Sequence, residues 1–202
     1  MEKSRLIQEI INLFKTFPSV GPKTAERFVY HLLNNQQVLE YFTEILNQIK
    51  EKIVKCQYCN DFDDTNPCKI CSDSTRDTKI LCIVEKHQDI YAIETAGYKG
   101  LYYILSSIIN PLEGKTIKDI NLENLIKRIT DVSYNMKPQE IIIATSFTTE
   151  GELTANYIAE FIKSKNINIK ISRIAKGLPT GAEIEYSDPK TLSFALKNRT
   201  IF

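Results

Sequence analysis

Cys56-Gln57-Tyr58-Cys59 is followed, after eight residues, by Cys68-Lys69-Ile70-Cys71. A Cys-x-x-Cys turn aims two thiolates at one point, and two such turns complete a tetrahedron of soft ligands. Four thiolates leave no coordination position for water, so the site is expected to be structural. The intervening loop, 60–67, is polar and carries Asp61, Asp63, Asp64 and Pro67. It cannot order itself by apolar burial; a structural zinc would supply about 10–16 kcal/mol toward that order. Two disulfides or a thioredoxin-like redox pair are the alternatives. Disulfides suit a secreted chain, whereas Glu2, Lys3, Arg5 and Glu9 interrupt any apolar leader. The expected cofactor is therefore one zinc ion held by Cys56, Cys59, Cys68 and Cys71. The fifth cysteine, Cys82, lies in the apolar run Ile80–Val84 and reads as a small buried hydrophobe.

The chain around this stretch has 202 residues, room for one sizeable domain or a few small ones. Its hydrophobic fraction of 43% is that of an ordinary globular protein. The formal charge of +1 excludes a strongly basic tail but not a basic patch. No apolar run approaches transmembrane length, and a cytoplasmic location is the default expectation.

On the amino-terminal side, Leu6, Ile7, Ile10, Ile11, Phe14 and Phe17 fall at helical spacing over 4–17, with Ser4 able to cap the start and Pro18 ending it. A second helix is expected over Pro22–Leu33, with proline in its first turn. Two helices joined by a tight turn at Gly21 have the layout of a helix-hairpin-helix. Its amides can meet a phosphate, and Lys23 and Arg27, four apart on one face, can meet that phosphate or its neighbour. An ordinary hairpin with two solvated cations is the alternative. A third amphipathic helix, 38–54, leads into Cys56.

Beyond the knuckles, Ser72–Thr78 is a polar hinge containing Arg76, and then the pattern changes. Ile80–Val84 is expected as a strand buried on both faces, Asp89–Thr95 as helical and Leu101–Leu105 as a strand. Helix over Leu122–Val132 and strand over Glu140–Thr145 follow. Thr149 and Glu152 have capping-box spacing and open a helix through Ile162. Ile167, Ile169 and Ile171 alternate with polar residues, as in a strand buried on one face. This alternation implies a mostly parallel sheet covered by helices. A last helix is capped by Asp188, starts with Pro189 and runs to about Arg199.

Two nucleotide-like patterns fail. Gly114-Lys115-Thr116 has Ile109 where the P-loop needs glycine, and Pro22 separates Gly21 from Lys23. Nothing in the spacing brings His31 or His87 into a catalytic set. The acids matter more. Glu85 stands at the carboxyl end of a buried strand, where ligands of open α/β sheets gather, and Asp89 follows four residues on. A magnesium site for phosphoryl chemistry would need a second acidic pair at the neighbouring strand end. That end, Thr145–Thr148, offers hydroxyls and no carboxylate; Glu150 and Glu152 come later.

As a set and in this order, the hairpin Pro18–Ala25, the four cysteines, Ile83-Val84-Glu85, Glu94–Tyr98, Thr149–Glu152 and Arg173–Pro179 resemble the RecR family of bacterial recombination mediators, over essentially the whole chain. The resemblance implies an α+β, multi-module architecture: a helix-hairpin-helix DNA-binding region (1–55), a four-cysteine zinc finger (56–71), an α/β Toprim domain (79–176) and a subunit-association segment (177–202). It implies a DNA-binding, non-enzymatic mediator of recombinational repair, forming a dimer or tetrameric ring, associated with the nucleoid. RecO is the implied partner, with RecF where present, in loading RecA on gapped DNA. Lys23 and Arg27 are the expected DNA contacts, and Glu85 and Asp89 the expected partner contacts; no catalytic residue is expected. A magnesium-dependent Toprim nuclease or topoisomerase-like enzyme is the alternative, and a zinc-stabilised interaction module a third reading. The chain departs from the family pattern at Ser19, usually glycine, at Ser106-Ser107, after Pro111, and at Ser146-Phe147.

Overall fold

The computed structural model describes residues 4–105, 107–120, 122–130 and 137–200. Ser106 and the expected helix end at 131–132 lie outside the described residues. The chain divides into two compact units, 1–53 and 54–202.

The first unit is helical. Helix α1 (Arg5–Lys15) ends at Lys15, short of the expected end, with Phe17 N closing a tighter turn on Phe14 O at 3.1 Å. Ser4 stands at its N-cap but its hydroxyl makes no capping bond. Helix α2 (Pro22–Leu33) has the bounds the sequence implies. Ile11 of α1 meets Ala25 and Val29 of α2 in a small core, with Ile7, Ile10, Phe14 and Val20 packed around it. Phe14 makes edge-on contacts with Phe17 and Phe28, both at 5.7 Å. Helix α3 (Gln36–Lys52) is amphipathic but buries none of its residues. It ends before Val54, because Val54 and Lys55 are drawn into strand pairing instead.

In the second unit, β1 (Val54–Lys55) and β2 (Phe62–Asp63) form a short antiparallel ribbon across the first cysteine knuckle, and α4 (Lys69–Ser72) carries the second. A parallel sheet follows, made of β3 (Asp77–Val84), β4 (Gly100–Ile104), β5 (Glu140–Ala144) and β6 (Lys170–Arg173), in the order β4-β3-β5-β6. Leu101, Leu81, Ile141 and Ile171 form one row across it. Side chains alternate between faces. Leu81, Ile83, Leu101, Tyr103, Ile141 and Ile143 face one core, completed by α6 (Leu122–Thr130) and α7 (Thr149–Ser164). Cys82, Val84, Tyr102 and Ile104 face the other, completed by Ile90 of α5 (His87–Thr95) and by Ile70 of α4. The buried strand β3 thus reads as a continuous apolar run because both of its faces are covered.

The start of α7 corrects the expected capping box. Its N-cap is Thr148, whose hydroxyl accepts from Gly151 N at 3.1 Å. Glu152 turns instead to Arg173 and Lys176. After β6 the chain has no regular secondary structure up to Pro179, and its last helix is α8 (Pro189–Lys197), capped by Asp188 through Thr191 N at 2.9 Å. Helix α8 buries no residue; Lys176 Nζ lies 4.5 Å from the Phe194 ring and 4.9 Å from that of Phe147.

Candidate functional site

The two knuckles bring Cys56, Cys59, Cys68 and Cys71 together, with all four sulfurs within 4.8 Å of one another and buried. All are free thiols, and Cys59 Sγ lies 3.5 Å from Cys68 Sγ. Backbone amides supply the electrostatics. Tyr58 N and Cys68 N donate to Cys56 Sγ at 3.5 and 3.4 Å, and Asp61 N donates to Cys59 Sγ at 3.5 Å. Hydrogen bonds from the other three thiols pull Cys56 far below the usual thiol range, while the bond to Cys56 and burial push Cys59 far above it. Thiolates gathered this closely repel one another, so their charge needs a cation to balance it. The donor set, its closure to solvent and its amide bonds fit a tetrahedral, thiophilic metal ion. Cys82, by contrast, belongs to the sheet core, where burial pushes its thiol up to about 12.

At the hairpin of the first unit, Ser19 adopts φ 62° and Gly21 φ −82°. A methyl group built on Gly21 would meet nothing within 4 Å, so the backbone there is open to an approaching group. Lys23 and Arg27 lie one turn apart on α2, and neither has an ion-pair partner in the described residues.

The acidic corner lies at the carboxyl end of β3. Glu85 is 8% exposed, and its carboxylate accepts from Ser146 N at 2.7 Å and Ser146 Oγ at 2.8 Å. Gly151 permits this closeness: a Cβ there would collide with Ser146 O and stand 3.0 Å from Glu85 Oε1. Arg173 ties the same loop down, donating to Thr145 Oγ1 at 2.7 Å and Ser146 O at 3.1 Å. Asp89 accepts from Lys86 N at 2.8 Å and so holds the first turn of α5. Glu85 and Asp89 thus share a corner but are each bonded to their own neighbours. Glu152, held below the ordinary carboxylate range by Lys176 above all, is also paired.

Three regions of the chain match known family models. The Toprim domain model matches residues 79–175, the RecR helix-hairpin-helix model 7–47, and the RecR C-terminal model 177–200. A protein of Amoebophilus asiaticus (strain 5a2) named Recombination protein RecR is 40% identical over 201 residues, 98% of each chain. Another of that name, from Desulforudis audaxviator (strain MP104C), is 36% identical over the same share. The chain belongs to the RecR family.

As a RecR-family protein it combines a helix-hairpin-helix, a four-cysteine cluster suited to a metal, a Toprim domain and a carboxyl-terminal helix. Two features of its site have no local sequence signature. Arg76 donates to both oxygens of Glu94 at 2.8 and 2.5 Å and to Gly100 O at 3.0 Å, while Tyr102 donates to Glu94 Oε1 at 2.7 Å. This locks the hinge after the cysteines against α5 and β4. His87 Nδ1 donates to Asp61 Oδ1 at 2.7 Å, joining the cysteine loop to α5. The only sequence cue for either is a cation or histidine standing among acids. Among the described residues, no helix is long and apolar enough to cross a membrane.

Proposed function

We propose that this chain is a DNA-binding mediator of recombinational repair with no catalytic activity of its own. The observation that carries the reading is the hairpin tip. An open backbone at Gly21 and two cations on the next helical turn, without ion-pair partners among the described residues, support phosphate binding rather than a substrate pocket. The relatives named Recombination protein RecR support the recombination role. In this reading zinc occupies the four cysteines, and Lys23 and Arg27 contact DNA phosphates. Glu85 and Asp89 mark the surface that docks RecO; RecF joins where the organism uses it, and RecA is loaded on gapped DNA. Homo-oligomerisation into a dimer or ring is supported by apolar side chains left in solvent: Leu6 and Leu13 are 74% and 61% exposed, and α3 buries nothing.

The rival reading is a magnesium-dependent Toprim nuclease or topoisomerase. Against it, both Glu85 oxygens already accept from Ser146, and the facing strand end supplies no carboxylate. The test is incubation of supercoiled and gapped DNA with the full chain and magnesium. Binding without strand breakage or relaxation is expected. Magnesium-dependent cleavage that disappears in Glu85→Ala would establish the enzyme instead.

A further inference from the structure

The cysteine loop is fastened to the sheet at the corner that carries the acids. Cys59 O accepts from Ile104 N at 2.8 Å, and Asn60 Nδ2 donates to Ile104 O at 3.0 Å. Both polar backbone groups of the last β4 residue are thereby satisfied on the side of this edge strand facing away from β3. Next in the loop, Asp61 takes the bond from His87, and the Phe62 ring stacks on the same imidazole at 4.9 Å and 28°. His87 opens α5, between Glu85 and Asp89 in the chain. Asn60, Phe62, Glu85 and His87 line one groove of about 330 Å³.

The two ends of this clasp differ in what orders them. The α5 end rests on the sheet core through Ile90. The loop end has no fully buried apolar side chain besides its cysteines; around them stand the half-buried Tyr58, under Arg128, and Ile70, which reaches the sheet core. Its order depends on the metal, whose binding energy is the folding energy of the loop. When the metal leaves, Asp61 and Asn60 lose the geometry that lets them hold His87 and Ile104. We propose that metal occupancy at Cys56, Cys59, Cys68 and Cys71 is coupled through the Asp61–His87 clasp to the conformation of the acidic corner, 85–90. The metal then organises a surface beyond its own loop. His87 is a positioning residue: it acts through Asp61 and touches no metal ligand. The coupling is reciprocal, so loosening the clasp from the α5 side weakens the hold on the metal. It is a property of the chain alone and stands whether or not a partner docks at the corner.

Two measurements on the zinc-loaded full chain test it. The first is amide hydrogen exchange before and after zinc removal by a chelator. Protection should fall at 86–90 and 104–105 while Leu81–Ile83 and Ile141–Ile143 stay protected. Unchanged protection at 86–90 would overturn the proposal. Loss throughout the sheet would overturn it equally, since the metal would then hold the whole domain. The second is the rate of zinc transfer to a chromophoric chelator. His87→Ala should speed it roughly tenfold, the worth of one charge-assisted hydrogen bond. His87→Asn, which can place an amide nitrogen where Nδ1 stood, should restore most of the difference. A His87→Ala rate equal to wild type, or His87→Asn as fast as His87→Ala, would refute the clasp.

Discussion

Ser19 holds φ at 62°, in the left-handed region where an L side chain costs roughly 1–2 kcal/mol and glycine almost nothing. The RecR pattern usually has glycine at this place. Ser19→Gly is expected to stabilise the helical hairpin by about 1 kcal/mol, read as a higher urea midpoint for loss of helix; a lower midpoint would mean that the serine makes a compensating interaction. At this scale the sequence was legible where chemistry is local. The cysteines declare themselves by spacing, and Pro22 by its place in the first turn. The bonding of Glu85 was not legible, because Ser146 is 61 residues away and the bond depends on Gly151 having no side chain. The N-cap of α7 slipped by one residue because Thr148 and Thr149 are chemically alike, and only backbone geometry chooses between them.

Among the elements, β3 and β5 follow directly from their apolar runs, and α2 from the proline in its first turn. The hinge between the cysteines and β3 does not, since Arg76 and Glu94 meet only once α5 packs beside β4. The Arg76 side chain is 9% exposed, so Arg76→Ala leaves the partly buried Glu94 carboxylate without its cation and Gly100 O without its donor, and should cost about 2 kcal/mol in denaturant unfolding. The pair also sets an acid limit. Its bond to Arg76 holds Glu94 below the ordinary value of 4.5, so its stabilisation is complete above that pH and is lost as the pH falls through the lowered folded value. Arg76→Ala should make stability fall less steeply with acidification below about pH 4.5; an unchanged acid slope would show that the pair contributes nothing there. The knuckles carry a separate expectation. Elemental analysis of protein purified without chelator should give one zinc per chain, and Cys59→Ser should lose it together with order in 57–67. Full-length protein that contains no thiophilic metal would contradict the reading of this element.

For the whole molecule, the order of modules was readable because each has its own grammar: helical periodicity, cysteine spacing, then alternating strands and helices. Assembly was not, since an exposed apolar face on α1 or α3 does not name what covers it. The central claim, that the chain works by holding DNA through its hairpin, is tested most directly by the salt dependence of binding. Affinity of the full chain for DNA of several sequences is measured across ionic strengths for wild type, Lys23→Glu and Arg27→Glu. Each variant should bind all sequences more weakly, with the log–log slope flattened by about one unit for each phosphate no longer neutralised. Several copies sharing one DNA would soften the fall in affinity without restoring the slope. Variants that match wild type in both affinity and slope would contradict the claim.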